Sequence, residues 1–381
     1  MAGVPLTQAE WDRAVGLYPN LFGHRDDCLK MDGPTKLYNC LAWSMGSTTE
    51  WINPPKAQVD FEALYAQRGF RTCPTGEATA DGYAKNNVMT HGSRFYLGVW
   101  SSKRGENMRM THPRYGLTDA SNTAIYGNVV VSFKPNVNFQ FGDVELPAPT
   151  EAEREAASQI TGLVDRSAVA FPMLADDFTK NWDAWEKSWA QPSHIESQSS
   201  SDFAAGPEWD ALVKMGTSIL PQVVKKLQTS ANIFGCDLYN KLQPDPTKKV
   251  PATDLSNYFV LNNQAKQIIK LYGSHLDSFN RLANDLATHQ SSVADRESGS
   301  SRDYTSGPSY EGIRALGAVG VPFIMDLYAR DQDGWWHELL FEIVHGKPSS
   351  TAVFDKKVLY RQWSLWYQGG APPGAPAAIT S

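Results

Sequence analysis

The stretch Lys36 to Gly46, KLYNCLAWSMG, sets a cysteine directly after an asparagine and at the head of an apolar run. If Asn39 caps a helix that opens at Cys40, the thiol lies in a first turn, where unpaired backbone N–H groups and the helix field favour thiolate. The same N–H groups would hold the oxyanion formed when the sulfur attacks a carbonyl. Such a nucleophile needs a base, and the base a partner that orients it. His91 stands 51 residues on, in VMTHGSRFYLGVW, and His112 a further 21, in MRMTHPRYGL. Two readings of Cys40 stand side by side. One is a nucleophile served by His91, with His112, Asp119 or Asn122 as orienter; the other is a small buried hydrophobe, a common fate of free cysteine.

Other residues would shape a substrate site around that pair. SSKRGE, Ser101 to Glu106, reads as a hairpin turn with Gly105 at positive φ. From that turn Lys103 is either solvated or reaches a substrate carboxylate. Trp43 and Trp100 are pocket walls or core, and Asn39 and Arg94 complete the substrate-binding set. Cys73, Cys28 and Cys236 lie away from the histidine motifs and are weaker nucleophile candidates. No CxxC or HExxH spacing occurs, so neither a metal nor a cofactor is expected.

Two kinds of chain must position these residues. Up to about residue 145 the sequence mixes short helical patterns with strand-like runs, which reads as α+β. AQVDFEALYAQRG places Val59, Leu64 and Tyr65 on a helical face before Gly69, while RFYLGVW and AIYGNVVVSFK have strand composition. The texture changes near residues 143 to 152, and residues 146–368 read as an all-α domain. Within it, segments 208–242 and 309–343 repeat at an offset of 101, pairing Trp209 with Tyr310, Leu212 with Ile313, Gly216 with Gly317 and Pro221 with Pro322. Each copy reads as a HEAT-like helical hairpin broken at Gly-x4-Pro. A long helix over about 255–289 separates them, a proteolysis-prone link falls at Ser298 to Ser301, and residues 369–381 read as a disordered tail.

Taken together, YNCLAWSMG, WINPP, THGSR, GVWSSKRGENMRMTH and IYGNVVVSF resemble an uncharacterised papain-like domain and, more remotely, NlpC-type peptidases and CHAP amidases. The resemblance spans roughly residues 36 to 133. It implies a papain-like α+β fold, with a cysteine-bearing helix packed on an antiparallel sheet. It also implies Cys40 as nucleophile, His91 as general base and His112 as third member. The expected activity is acyl transfer on an amide, ester or thioester through an acyl-enzyme, resolved by water or by an amine, with a peptide-like or acyl small-molecule substrate.

Composition limits the partners. Lys+Arg number 35 against 41 Asp+Glu, a formal net charge of −6, and no basic run could neutralise a series of phosphates, so nucleic acid is not expected. No apolar run approaches the ~18 residues that span a bilayer, so a soluble cytoplasmic protein without a membrane partner is expected. The alternative to an enzyme is a non-catalytic scaffold that binds a protein on the helical repeat face, with Trp335 and Trp336 as anchors.

Overall fold

The computed structural model describes residues 3–118, 121, 124–136, 148–191, 197, 199–250, 260–295, 301–349 and 355–369. The first part is an antiparallel sheet of eight strands: β1 (Val4–Pro5), β2 (Leu29–Asp32), β3 (Phe70–Thr72), β4 (Ala80–Lys85), β5 (Val88–Tyr96), β6 (Val99–Lys103), β7 (Arg109–His112) and β8 (Asn128–Pro135). Their spatial order is β1-β2-β7-β6-β5-β4-β8-β3. Both faces of the sheet are covered. Helices α2 (Cys40–Ser44) and α3 (Gln58–Gln67) bury one face with Leu41, Phe61, Tyr65 and Phe133. Helix α1 (Gln8–Leu17) and the turns before β8 bury the other with Ala14, Tyr18, Tyr83, Met110 and Tyr126.

Because side chains alternate along a strand, this arrangement assigns every strand residue to one of the two faces of the sheet. Gly82 and Gly92 are direct partners in the β4–β5 ladder and face α2 and α3. A Cβ at Gly92 would lie 2.7 Å from both the Ser44 hydroxyl and the Tyr65 hydroxyl, so the close seat of α2 depends on glycine there. Their neighbours Tyr83 and His91, also direct partners, face the other core.

Two of the element readings need correction. RFYLGVW is not one strand: Leu97 and Gly98, at φ +52° and +85°, fold it back between β5 and β6. A left-handed leucine costs roughly 1–2 kcal/mol, which is why its apolar type hid the turn. Val59 is 70% exposed, and the buried face of α3 is Phe61, Leu64 and Tyr65. Gly105 takes its positive φ, +55°, in the turn between β6 and β7.

The remainder is largely helical: α4 (Glu151–Ala170), α5 (Pro172–Trp189), α6 (Pro207–Lys214), α7 (Leu220–Lys226), α8 (Gly235–Leu242), α9 (Leu261–Asp295), α10 (Ser301–Tyr304), α11 (Pro308–Ala315), α12 (Val321–Arg330), α13 (Trp336–His345) and α14 (Lys356–Tyr367). The sequence repeat is a repeat of elements. Gly206 and Gly307 precede α6 and α11 at the same φ of +96°, proline occupies the first helical turn of each, and Gly216 and Gly317 open matching 3₁₀ turns. Trp209, Leu212, Tyr310 and Ile313 are buried in the shared helical core. The long helix starts later than expected, at Leu261; residues 255–259, the Ser298–Ser301 link up to residue 300 and the tail from residue 370 lie outside the described residues.

The two parts are joined by side chains as well as by the chain. Trp51, from the loop after α2, is buried in the helical core edge-on to Phe234, with ring centroids 5.0 Å apart. Its backbone N–H donates to Asn262 Oδ1, while Asn53 and Ser200 exchange two hydrogen bonds. Among the described residues no single helix is long and apolar enough to cross a membrane.

Candidate functional site

Asn39 does cap α2. Its Oδ1 accepts from the Ala42 N–H (3.3 Å), and its amide is fixed further by the Ile52 carbonyl at 2.6 Å. The cap is thus a core device rather than a substrate contact, since Asn39 is fully buried. Cys40, behind it, is sealed among Leu41, Phe61 and Phe133. Burial drives its thiol pKa well above the ordinary cysteine value, and backbone N–H groups, that of Gly92 first, offset only part of the rise. A helix of five residues contributes little field against that desolvation.

His91 does not meet Cys40. The thiol lies on the face that Gly92 presents to α2, whereas His91, one residue earlier, projects to the opposite face. There its ring stacks on Tyr126 at 3.8 Å between centroids and stands edge-on to Tyr83. Neither ring nitrogen has a hydrogen-bond partner among the described residues, and burial pushes its pKa well below the ordinary histidine value. The expected base is therefore corrected to a neutral core imidazole, separated from the thiol by the sheet.

His112 shares that second face. Its Nδ1–H donates to the Pro113 carbonyl at 2.8 Å, which fixes the tautomer and leaves Nε2 to accept the Ser102 hydroxyl at 2.9 Å. Ser102 is fully buried, and burial lowers the pKa of His112 to about 4. The pair is thus a satisfied polar contact inside the core. The rival orienters Asp119 and Asn122 lie outside the described residues.

Lys103 is also corrected. Its ammonium is buried and donates to the carbonyls of Thr35, Gly105 and Asn107, at 3.1, 2.5 and 2.5 Å. It staples the β6–β7 turn to the chain before α2 and has no reach into a cleft.

An open cleft of about 1150 Å³ lies at the end of the sheet, where the β5–β6 hairpin, β7 and the loop before β2 converge. Trp43, Arg94, Trp100 and His112 line it, together with Tyr96 and Arg109, which the sequence reading missed. Trp43 organises one wall. Its indole N–H donates to Ser101 Oγ at 3.2 Å, and two guanidinium groups lie over its ring, Arg109 at 4.0 Å and Arg94 at 5.1 Å. Arg94 also covers Tyr96 at 4.4 Å.

Arg109 is distinctive among the cations of the cleft. Arg114 is held by both oxygens of Asp81 at 2.7 and 2.8 Å. Arg109, by contrast, makes no ion pair with the described residues, and its buried Nε lacks a hydrogen-bond partner. The carboxylate opposite it in the ladder, Asp32, is taken by the Tyr38 hydroxyl and the Gly33 N–H. Stacking on an indole leaves the in-plane N–H donors of a guanidinium aimed outward, a geometry that suits a carboxylate or phosphate oxygen. The clue in the sequence was the alternation RMTH, which puts Arg109 and Thr111 on one face; that this face meets Trp43 depends on a register the sequence does not contain.

Residues 30–134, just over a quarter of the chain, match the family described as Domain of unknown function (DUF7689). No curated protein matches the chain. No solved structure matches it either.

Proposed function

We propose that the first part of this protein is a non-catalytic binding module whose cleft seats the oxyanion of an organic ligand, a carboxylate or a phosphate, against Arg109. The observation that carries the reading is the uncommitted guanidinium of Arg109 stacked on Trp43 in the cleft wall. The Nε is buried, so an incoming oxygen meets the terminal N–H groups of the guanidinium, which make no hydrogen bond to the described residues. Trp43 and Tyr96 add flat apolar area beside the charge.

The cysteine-dependent acyl transfer expected from the sequence would need a thiol and an imidazole on one face and a path for substrate to the sulfur. Cys40 and His91 offer neither. A thiol-bearing helix on an antiparallel sheet is compatible with the papain-like likeness, which rests on motif order alone. The repeat face was the other candidate for binding, but Trp336 there is core and Trp335 stacks on Tyr304 with Lys356 over its ring.

The test is a titration of the full chain with phosphate and with citrate, followed through the arginine Nε–Hε signals in nitrogen-15 NMR spectra. The Arg109 signal is expected to move with either anion and to be absent in Arg109→Gln, which no longer binds. Signals unmoved by both anions would refute the reading.

A further inference from the structure

The sheet contains two tight hairpin turns whose central residues are left-handed. Between β4 and β5 they are Asn86 and Asn87, at φ +52° and +64°; between β5 and β6 they are Leu97 and Gly98, at φ +52° and +85°. Asparagine tolerates that region through its short polar side chain, whereas leucine does not. The first hairpin is thus an internal control for the second: the same backbone is built there without an apolar residue.

Leu97 carries a second cost. It is 80% exposed, and Phe95, Tyr96 and Val99 beside it are also exposed. The tip projects because its neighbours stop short: β4 pairs with β5 only as far as Arg94, and β7 pairs with β6 only from Trp100. Strain and water-exposed apolar area coincide on one projecting residue, and that residue lines the same cleft as Arg109. An apolar tip with the Arg109 guanidinium and aromatic rings at its base matches the layering of a phospholipid surface, with acyl chains beyond and a phosphate behind.

Resting on the oxyanion reading above, we propose that the β5–β6 tip is a membrane-docking element, in which Leu97 enters the acyl boundary of an anionic phospholipid surface while Arg109 holds a headgroup phosphate. Such a peripheral contact needs no spanning segment. Tyr96, exposed beside Leu97, supplies an amphipathic ring of the kind that favours the interface.

The experiment is co-sedimentation of the full chain with vesicles of phosphatidylcholine alone and with added phosphatidylserine, beside Leu97→Asn and Arg109→Gln. The wild-type chain is expected to partition to the phosphatidylserine vesicles, and Arg109→Gln to fall to its phosphatidylcholine level. Leu97→Asn is expected to lose about tenfold in partitioning, the loss of one buried leucine side chain, while its melting temperature rises because the turn is relieved. A wild-type chain that binds inorganic phosphate yet stays in the supernatant with phosphatidylserine vesicles would overturn the membrane inference, leave the oxyanion reading intact and make the occupant soluble. Equal partitioning of Leu97→Asn and wild type would also overturn it. Failure to bind phosphate and vesicles alike would remove both readings together.

Discussion

His91 and Gly92 are consecutive residues of one strand that face opposite cores. Gly92 lies under the Ser44 and Tyr65 hydroxyls next to Cys40, and His91 lies flat on Tyr126. This single alternation separates the thiol from the imidazole and moves the functional reading from a nucleophile to the cleft around Trp43.

Thiol chemistry should follow burial rather than motif. Cys73 is the partly exposed cysteine, while Cys28, Cys40 and Cys236 are buried, the thiol of Cys28 being pushed up to about 12. Iodoacetamide on the native protein near neutral pH is expected to label Cys73 first and Cys40 only with unfolding, read by mass spectrometry of peptides. Labelling of Cys40 as fast as Cys73 would contradict the sealed site.

Acid should destabilise the first part. Burial depresses the pKa of His91 and brings that of His112 from 6.5 to about 4, so the unfolded chain binds more protons than the folded one once pH falls below about 6.5. Stability is full above that value and is lost as pH drops towards 4, with His112 contributing on the order of 3 kcal/mol. Urea midpoints measured between pH 7 and pH 4 should show the decline, and His112→Gln should flatten it.

The Lys103 staple predicts a structural phenotype. Lys103→Met removes the ammonium from three carbonyls and leaves them buried, an expected loss of roughly 3 kcal/mol in chemical denaturation. A variant as stable as wild type would show that the turn holds without it.

The junction between sheet and helices rests on Trp51. Trp51→Ala opens a cavity beside Phe234 and is expected to cost roughly 3–5 kcal/mol, whereas Trp51→Phe, which keeps the ring packing, should lose less than half as much. Urea denaturation followed by circular dichroism separates the two outcomes.

Local chemistry was legible in the sequence where it depends on neighbours in the chain. Asn39 before Cys40 announced a capped helix, Gly105 a turn, and the spacing of Gly216 and Gly317 a repeat of helical elements. The facing of His91 was not legible, because strand parity is fixed only once Gly92 is known to lie under α2. Arg109 was hidden for the same reason, since its partner Trp43 is 66 residues away and meets it only through the order of the sheet. Leu97 was obscured by its own apolar type, which reads as strand where the backbone requires a turn.

Calorimetric titration of inorganic pyrophosphate into Cys40→Ala and Arg109→Gln, each beside the wild-type chain, sets the two accounts of this domain against each other. Binding by Cys40→Ala that matches wild type, with a loss of about tenfold or more in Arg109→Gln, is the result predicted. Undiminished binding by Arg109→Gln, with loss in Cys40→Ala, would contradict the account.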